Sequence, residues 1–164
     1  LINPKEIKNK ILIKENLFLV ILISTVFFLD RYSKSIVLEK FSENVFYVNS
    51  FFNLNLLWNT GIGFGLLSSN SSLFYNLISG IIGVVIIFLT IIGIKSDKFD
   101  KITFSIIIGG ALGNFYDRIV FKAVPDFIDL HYGSLHWFTF NIADIFITIG
   151  IFAFIIRGFF IKNN

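Results

Sequence analysis

The hydrophobic positions of this 164-residue chain gather into four blocks separated by polar stretches. The first runs from about Ile11 to Leu29, with Lys14 and Glu15 near its start, and the second, Leu73 to Ile94, carries no charge. The third runs from Ile102 to Phe115 and can continue helically to Phe121, while the fourth, Trp137 to Phe160, is interrupted by Asn141, Asp144 and Arg157. A helix of roughly 20 residues crosses the hydrocarbon core of a bilayer. The pattern therefore predicts an all-α polytopic membrane protein with four transmembrane helices, at about residues 11–29, 73–94, 102–121 and 137–160, in one membrane domain over 1–164. The first block is followed by LDRYSK, which lacks the small residues of a cleavage site, so it reads as a span and not as a removed leader.

Between the first two blocks the period changes. In FNLNLLWN, residues 52–59, Phe52, Leu54, Leu56 and Trp58 alternate with Asn53, Asn55, Leu57 and Asn59. A period of two predicts a short strand with one face on something apolar, such as the bilayer surface. NTGIGFG follows, where Gly61, Gly63 and Gly65 break any helix. The chain shows no internal repeat and no second domain.

Composition sharpens this picture. The chain is 55% hydrophobic and 15% charged, with a mean hydropathy of +0.79; a soluble domain carries about a quarter charged residues. Nine basic residues flank one set of block ends: Lys5, Lys8, Lys10, Lys14, Lys95, Lys98, Lys101, Arg157 and Lys162. Arg31, Lys34, Lys40, Arg118 and Lys122 flank the other. By the positive-inside rule both ends of this chain and the KSDKFDK loop are cytoplasmic, and segments 30–72 and 116–137 face outwards. A net charge of +3 without a basic stripe speaks against a nucleic-acid partner. The absence of cysteine excludes disulfides, thiolate metal sites and a cysteine nucleophile.

The candidate chemistry lies at the outer block ends. Asp144 sits inside the fourth block with Asn141 three residues earlier, on the same helical face. Asp126 lies in VPDFIDLH, where Pro125 stops a continuing helix beyond the third block. If the third and fourth spans form a hairpin, both carboxylates reach the outer interface. Two carboxylates in one low-dielectric site share a proton, which suits acid–base work on a water. Asp129 is a rival for the role of Asp126. Asp30 and Lys34 have the spacing of a helical ion pair, Asn59 opens the glycine-rich turn, and Asn114, Asp117 and Arg118 cap the third span, whose GGALG run offers a small-residue contact face. His131 and His136 lack the spacing of a helical zinc motif; a serine nucleophile would have Lys34 as its one outer-face base near the membrane, and no serine has an elbow motif. On the residues alone three readings stand: an enzyme, a proton-coupled transporter or channel, and a structural membrane subunit.

Five stretches in order, DRYSK (30–34), NTGIGFG (59–65), GGALGNFYDR (109–118), VPDF (124–127) and FNIAD (140–144), resemble lipoprotein signal peptidase, also called signal peptidase II. The likeness spans about residues 13–160. It implies a bacterial membrane aspartic endopeptidase that removes signal peptides from prolipoproteins, cutting before the diacylglyceryl-modified cysteine. Asp126 and Asp144 would then be the catalytic dyad. Asp30, Lys34, Asn59, Gly61, Asn114, Arg118 and Asn141 would orient it or bind substrate. The resemblance further implies a small β-cradle on the outer face, a multi-pass enzyme of the bacterial cytoplasmic (inner) membrane working as a monomer, membrane lipid as a partner, and neither metal nor cofactor. Lys122 stands where the family usually has glycine, and Pro125 where valine is common.

Overall fold

The computed structural model describes residues 14–41, 44–61 and 72–161. Residues 11–13 of the first expected span, Lys5, Lys8, Lys10 and Lys162 of the charge pattern, and Gly63 and Gly65 of the glycine-rich turn lie outside the described residues. The elements are α1 (Lys14–Lys40), β1 (Phe46–Tyr47), β2 (Phe52–Asn59), α2 (Ser72–Lys95), α3 (Lys98–Phe121), β3 (Val124–Tyr132), β4 (Leu135–Phe140) and α4 (Ile142–Ile161).

Among the described residues three helices are long and apolar enough to cross a membrane, over Asn16–Lys40, Tyr75–Lys95 and Ile142–Phe160. Of the four spans expected, α3 is the exception. It has the length, but Asn114, Asp117 and Arg118 in its second half dilute its apolarity. It is the central helix, packing on α1, α2 and α4. The GGALG run explains how. A Cβ on Gly109 would lie 2.7 Å from the Val26 side chain of α1, and one on Gly110 would lie 2.7 Å from the Ala143 carbonyl of α4. Real Cβ atoms do not approach so closely, so both neighbours reach α3 only because glycine is there. Below this contact Ile86, Phe104, Ile107 and Ile108 form a buried apolar layer. Val84, Ile87, Phe88, Phe152 and Phe159 on α2 and α4 are exposed, as expected of lipid-facing surface.

Two boundaries differ from the sequence expectation. The first helix continues past Leu29 to Lys40, carrying DRYSK within it and not beyond its end. The fourth block divides, because LHWFTF is strand β4 and helix α4 opens only at Ile142. Asn141 makes the break. Its side-chain oxygen accepts from the Asp144 amide at 3.1 Å, and the Asp144 carboxylate accepts from the Asn141 amide at 3.2 Å. This reciprocal pair is a capping box, which fixes a helix N-terminus. Asp144 therefore sits in the first turn of α4, not deep within a span. At the other end of α3, Asn114, Asp117 and Arg118 lie inside the helix and do not cap it. The cap is Lys122, in a left-handed conformation at φ 56°.

The four strands form one antiparallel sheet in the order β1-β2-β3-β4. The strand expected at 52–58 is β2. The sequence pattern did not predict β1, β3 or β4. Pro125, which stops a helix, is tolerated near the start of β3.

Candidate active site

Asp126 projects from β3 on the face shared by Val124 and Ile128. Along β2 the register begins with Leu54 opposite Ile128, then shifts by one so that Leu57 faces Asp126 and Asn59 faces Val124. Without the extra residue in β2, Trp58 would face Val124 and Asn59 would point the other way. The bulge thus brings Asn59 onto the Asp126 face, where its Nδ2 donates to Asp126 Oδ2 at 2.8 Å. The Asn59 oxygen accepts from the Gly61 amide at 2.8 Å, which fixes the amide's orientation.

The other Asp126 oxygen accepts from Asn141 Nδ2 at 2.5 Å. Asn141 is wholly buried and also caps α4, so one side chain touches both Asp126 and Asp144. Burial, and then the charge of Asp144, push the Asp126 carboxyl up to about 6 against the opposing effect of its two asparagine donors.

Asp144 Oδ1 accepts from Asn114 Nδ2 at 2.8 Å. Asn114 in turn accepts from Lys34 Nζ at 2.8 Å, and the same ammonium donates to Asp30 at 2.8 Å and to Asp117 at 2.7 Å. Asp30 also accepts from the Ala143 amide at 3.0 Å, tying α1 to the start of α4. Arg118 reaches across to the Gly61 carbonyl at 3.0 Å and to the Asn114 carbonyl at 3.1 Å. The structure thus brings Asp30, Lys34, Asn59, Gly61, Asn114, Arg118, Asp126, Asn141 and Asp144 into one bonded cluster.

Asp129 does not join it. It lies on the opposite face of β3, hydrogen-bonded to His136 at 2.7 Å. Two residues outside the expected site set do join. Asp117 is fully buried between Lys34 and Arg31, and Arg31 also approaches Asp30 at 3.7 Å. The signal for Asp117 was its place one turn after Asn114; for Arg31 only its adjacency to Asp30 pointed inward.

Charge in the cluster is close to balanced. Arg31, Lys34 and Arg118 supply three cations, against the four carboxylates of Asp30, Asp117, Asp126 and Asp144. One proton on the carboxylates makes it neutral. Asp144 also borders a groove of about 550 Å³ with Asn114, Arg118, Val85, Leu89 and Phe154, and a second of about 320 Å³ with Leu130, Phe138 and Phe140. Such an arrangement can polarise a carbonyl and activate a water at the mouth of an apolar groove.

Comparison with known proteins identifies the family. Residues 22–160 match the family model described as signal peptidase (SPase) II. A lipoprotein signal peptidase of Pelagibacter ubique is 46% identical over 159 residues, covering 95% of this chain and 96% of the relative. One from Francisella tularensis subsp. novicida is 41% identical over 150 residues, 89% of this chain and 92% of the relative. Two solved structures of a bacterial membrane enzyme, obtained by the in meso method, superpose with TM-scores of 0.70 and 0.69 at 32% and 30% identity, each over 85% of this chain and over 86% and 91% of theirs. A family match over most of the chain, joined to relatives of this similarity and to the same fold, establishes that the chain belongs to the signal peptidase II family.

Proposed function

We propose that this protein removes signal peptides from prolipoproteins as a membrane aspartic endopeptidase, cutting on the N-terminal side of the diacylglyceryl-modified cysteine. The observation that carries this reading is the linkage of Asp126 and Asp144, from two different elements, through Asn141, in a buried cluster one proton short of neutrality. With that proton shared, the ionised carboxylate takes a proton from water while the protonated one donates a hydrogen bond to the scissile carbonyl. The water oxygen attacks the carbonyl carbon, the C–N bond breaks, and a carboxyl protonates the departing amine. Asn59 and Asn141 hold Asp126, and Asn114 holds Asp144, so the dyad is oriented before substrate arrives. The grooves beside Asp144 suit the apolar parts of a lipidated peptide.

The whole chain forms one membrane domain in this reading, and α3 is the fourth span, its polar second half shielded by α1, α4 and β3. The basic residues orient it in the bacterial inner membrane with both ends of this chain in the cytoplasm and the dyad near the outer face, where a lipidated substrate resides. The enzyme acts as a monomer. A proton-relay reading would require a polar path through the helices, and the layer of Ile86, Phe104, Ile107 and Ile108 argues against one.

The test is cleavage of a diacylglyceryl-modified prolipoprotein by the purified protein, beside Asp126→Asn and Asp144→Asn. The reading expects cleavage before the lipidated cysteine by the wild type and none by either variant, both retaining wild-type helicity. Cleavage that persists in both variants would sink the dyad assignment; failure of the wild type on a substrate cut by a relative would sink the activity.

A further inference from the structure

We propose that Asp129, His131 and His136 form a binding site for a divalent transition-metal ion of the zinc type, on the β3–β4 hairpin and separate from the dyad. The spacing of the two histidines suggested no ligand set when judged by helical motifs. On antiparallel strands the relevant quantity is register, and here His131 stands directly opposite His136. That pairing depends on a second bulge. Asp129 faces Thr139 and Leu130 faces Phe138, but the register then shifts by one before His131. Unshifted, His131 would face Trp137, and His136 would point to the other side. The bulge places one carboxylate and two imidazoles on a single face, with a ligand atom from each lying within 4.8 Å of the others.

Three further features fit a cation. First, Asp129 is 2% exposed, and among the described residues its one ion-pair partner is His136, which is charged only when protonated. A buried carboxylate facing two imidazoles, one of them at 2.7 Å, is a ready place for a cation. Second, His131 Nδ1 is directed at the Asp129 backbone carbonyl at 3.5 Å. A ligating histidine commonly turns its other ring nitrogen to such a carbonyl, leaving Nε2 for the ion. Third, the rings stack at 5.3 Å and 24°, and His136 is exposed enough to swing inward. Zinc–ligand bonds of about 2.0–2.2 Å require only a modest contraction of this set.

Two imidazoles and one carboxylate select zinc over magnesium or calcium, which take oxygen ligands. A fourth position remains for water. The ion would clip β4, the terminal strand of the sheet, to β3. Asp126 lies on β3 three residues before Asp129, roughly 10 Å along the strand, too far for the ion to touch the dyad. The proposal therefore stands independently of the peptidase chemistry.

The experiment is zinc titration of the full chain in detergent, stripped by chelator and free of any histidine tag, read by equilibrium dialysis and X-ray absorption. The expected result is one zinc ion per chain at low micromolar affinity, with nitrogen and oxygen ligands and no competition from magnesium. Exposed His136 can be replaced without disturbing the fold, so His136→Ala should weaken binding about tenfold or more, as should Asp129→Asn. Asp126→Asn and Asp144→Asn should bind as the wild type does. No saturable binding, binding unchanged in His136→Ala, or binding lost in the dyad variants would each overturn the proposal.

Discussion

Lys34 offers the sharpest test of how the site is held. It is 1% exposed, and its three ammonium protons go to Asp30 at 2.8 Å, Asn114 at 2.8 Å and Asp117 at 2.7 Å. Replacing it with methionine keeps the volume of the stem but removes the charge and all three bonds. The four carboxylates of the cluster would then face only Arg31 and Arg118. Stranding one partner of a buried ion pair costs about 3–5 kcal/mol, whereas an exposed pair is worth about 0–1 kcal/mol. The geometry puts Lys34→Met in the first class. Asn114 also loses the ammonium that orients its amide towards Asp144, so peptidase activity should fall with stability. The assay is reversible unfolding in mixed micelles followed by circular dichroism, with prolipoprotein cleavage measured in parallel. The control is Lys34→Met combined with Asp117→Asn, which removes a buried negative charge along with the positive one. It should recover part of the lost stability, a coupling of about 0.5–3 kcal/mol. A loss under about 1 kcal/mol with activity intact, or additive effects in the double variant, would refute the idea that one ammonium joins α1 to α3 and positions the dyad.

Four other outcomes are expected. Asp126 is raised to about 6, so the singly protonated dyad fades as pH rises through that value and cleavage should fall on the alkaline side. The Asn59 hydrogen bond lowers the Asp126 pKa, so Asn59→Ala should move that limb to higher pH in a pH–rate profile. A raised carboxylate also makes folding stability fall as pH rises between the unfolded value near 4 and about 6, by roughly 3 kcal/mol at most; unfolding measured across that window should show a shallower slope in Asp126→Leu than in the wild type. Lys122 is exposed and held at φ 56°, where a side chain strains the backbone, so Lys122→Gly should raise stability by up to about 1 kcal/mol in the same unfolding assay.

The hydrophobic blocks exposed the helices because each needs a long apolar run, and the five linked motifs pointed to nearly every polar residue of the cluster. What they did not reveal was how those residues meet. The alternation in FNLNLLWN places Asn53 and Asn59 on one face. In the sheet the bulge separates them, with Asn53 opposite Asp129 and Asn59 beside Asp126. A one-residue register shift leaves almost no trace in local periodicity, since it is decided by how two strands pair. The same holds for His131 and His136. The fourth block misled for a different reason: the strand LHWFTF is apolar enough to read as helix, and only the capping exchange between Asn141 and Asp144 marks where the helix begins.

That capping exchange connects stability to chemistry. A helix N-terminus favours a carboxylate in its first turn, and the box needs the Asp144 side chain turned back towards Asn141. In the proposed mechanism the group that starts α4 is therefore also the group presented to substrate, and its partner Asn141 donates from Nδ2 to Asp126. Four anchors converge on this point: β3 carries Asp126, the β2 bulge brings Asn59, α3 supplies Asn114, and α1 reaches the turn through Asp30 on the Ala143 amide. With so many elements fixed to it, Asp126 can keep a carboxyl group buried where isolated burial would be unfavourable. One proton on the four carboxylates then balances the three cations, and in the proposed mechanism that singly protonated pair is the form that activates a water.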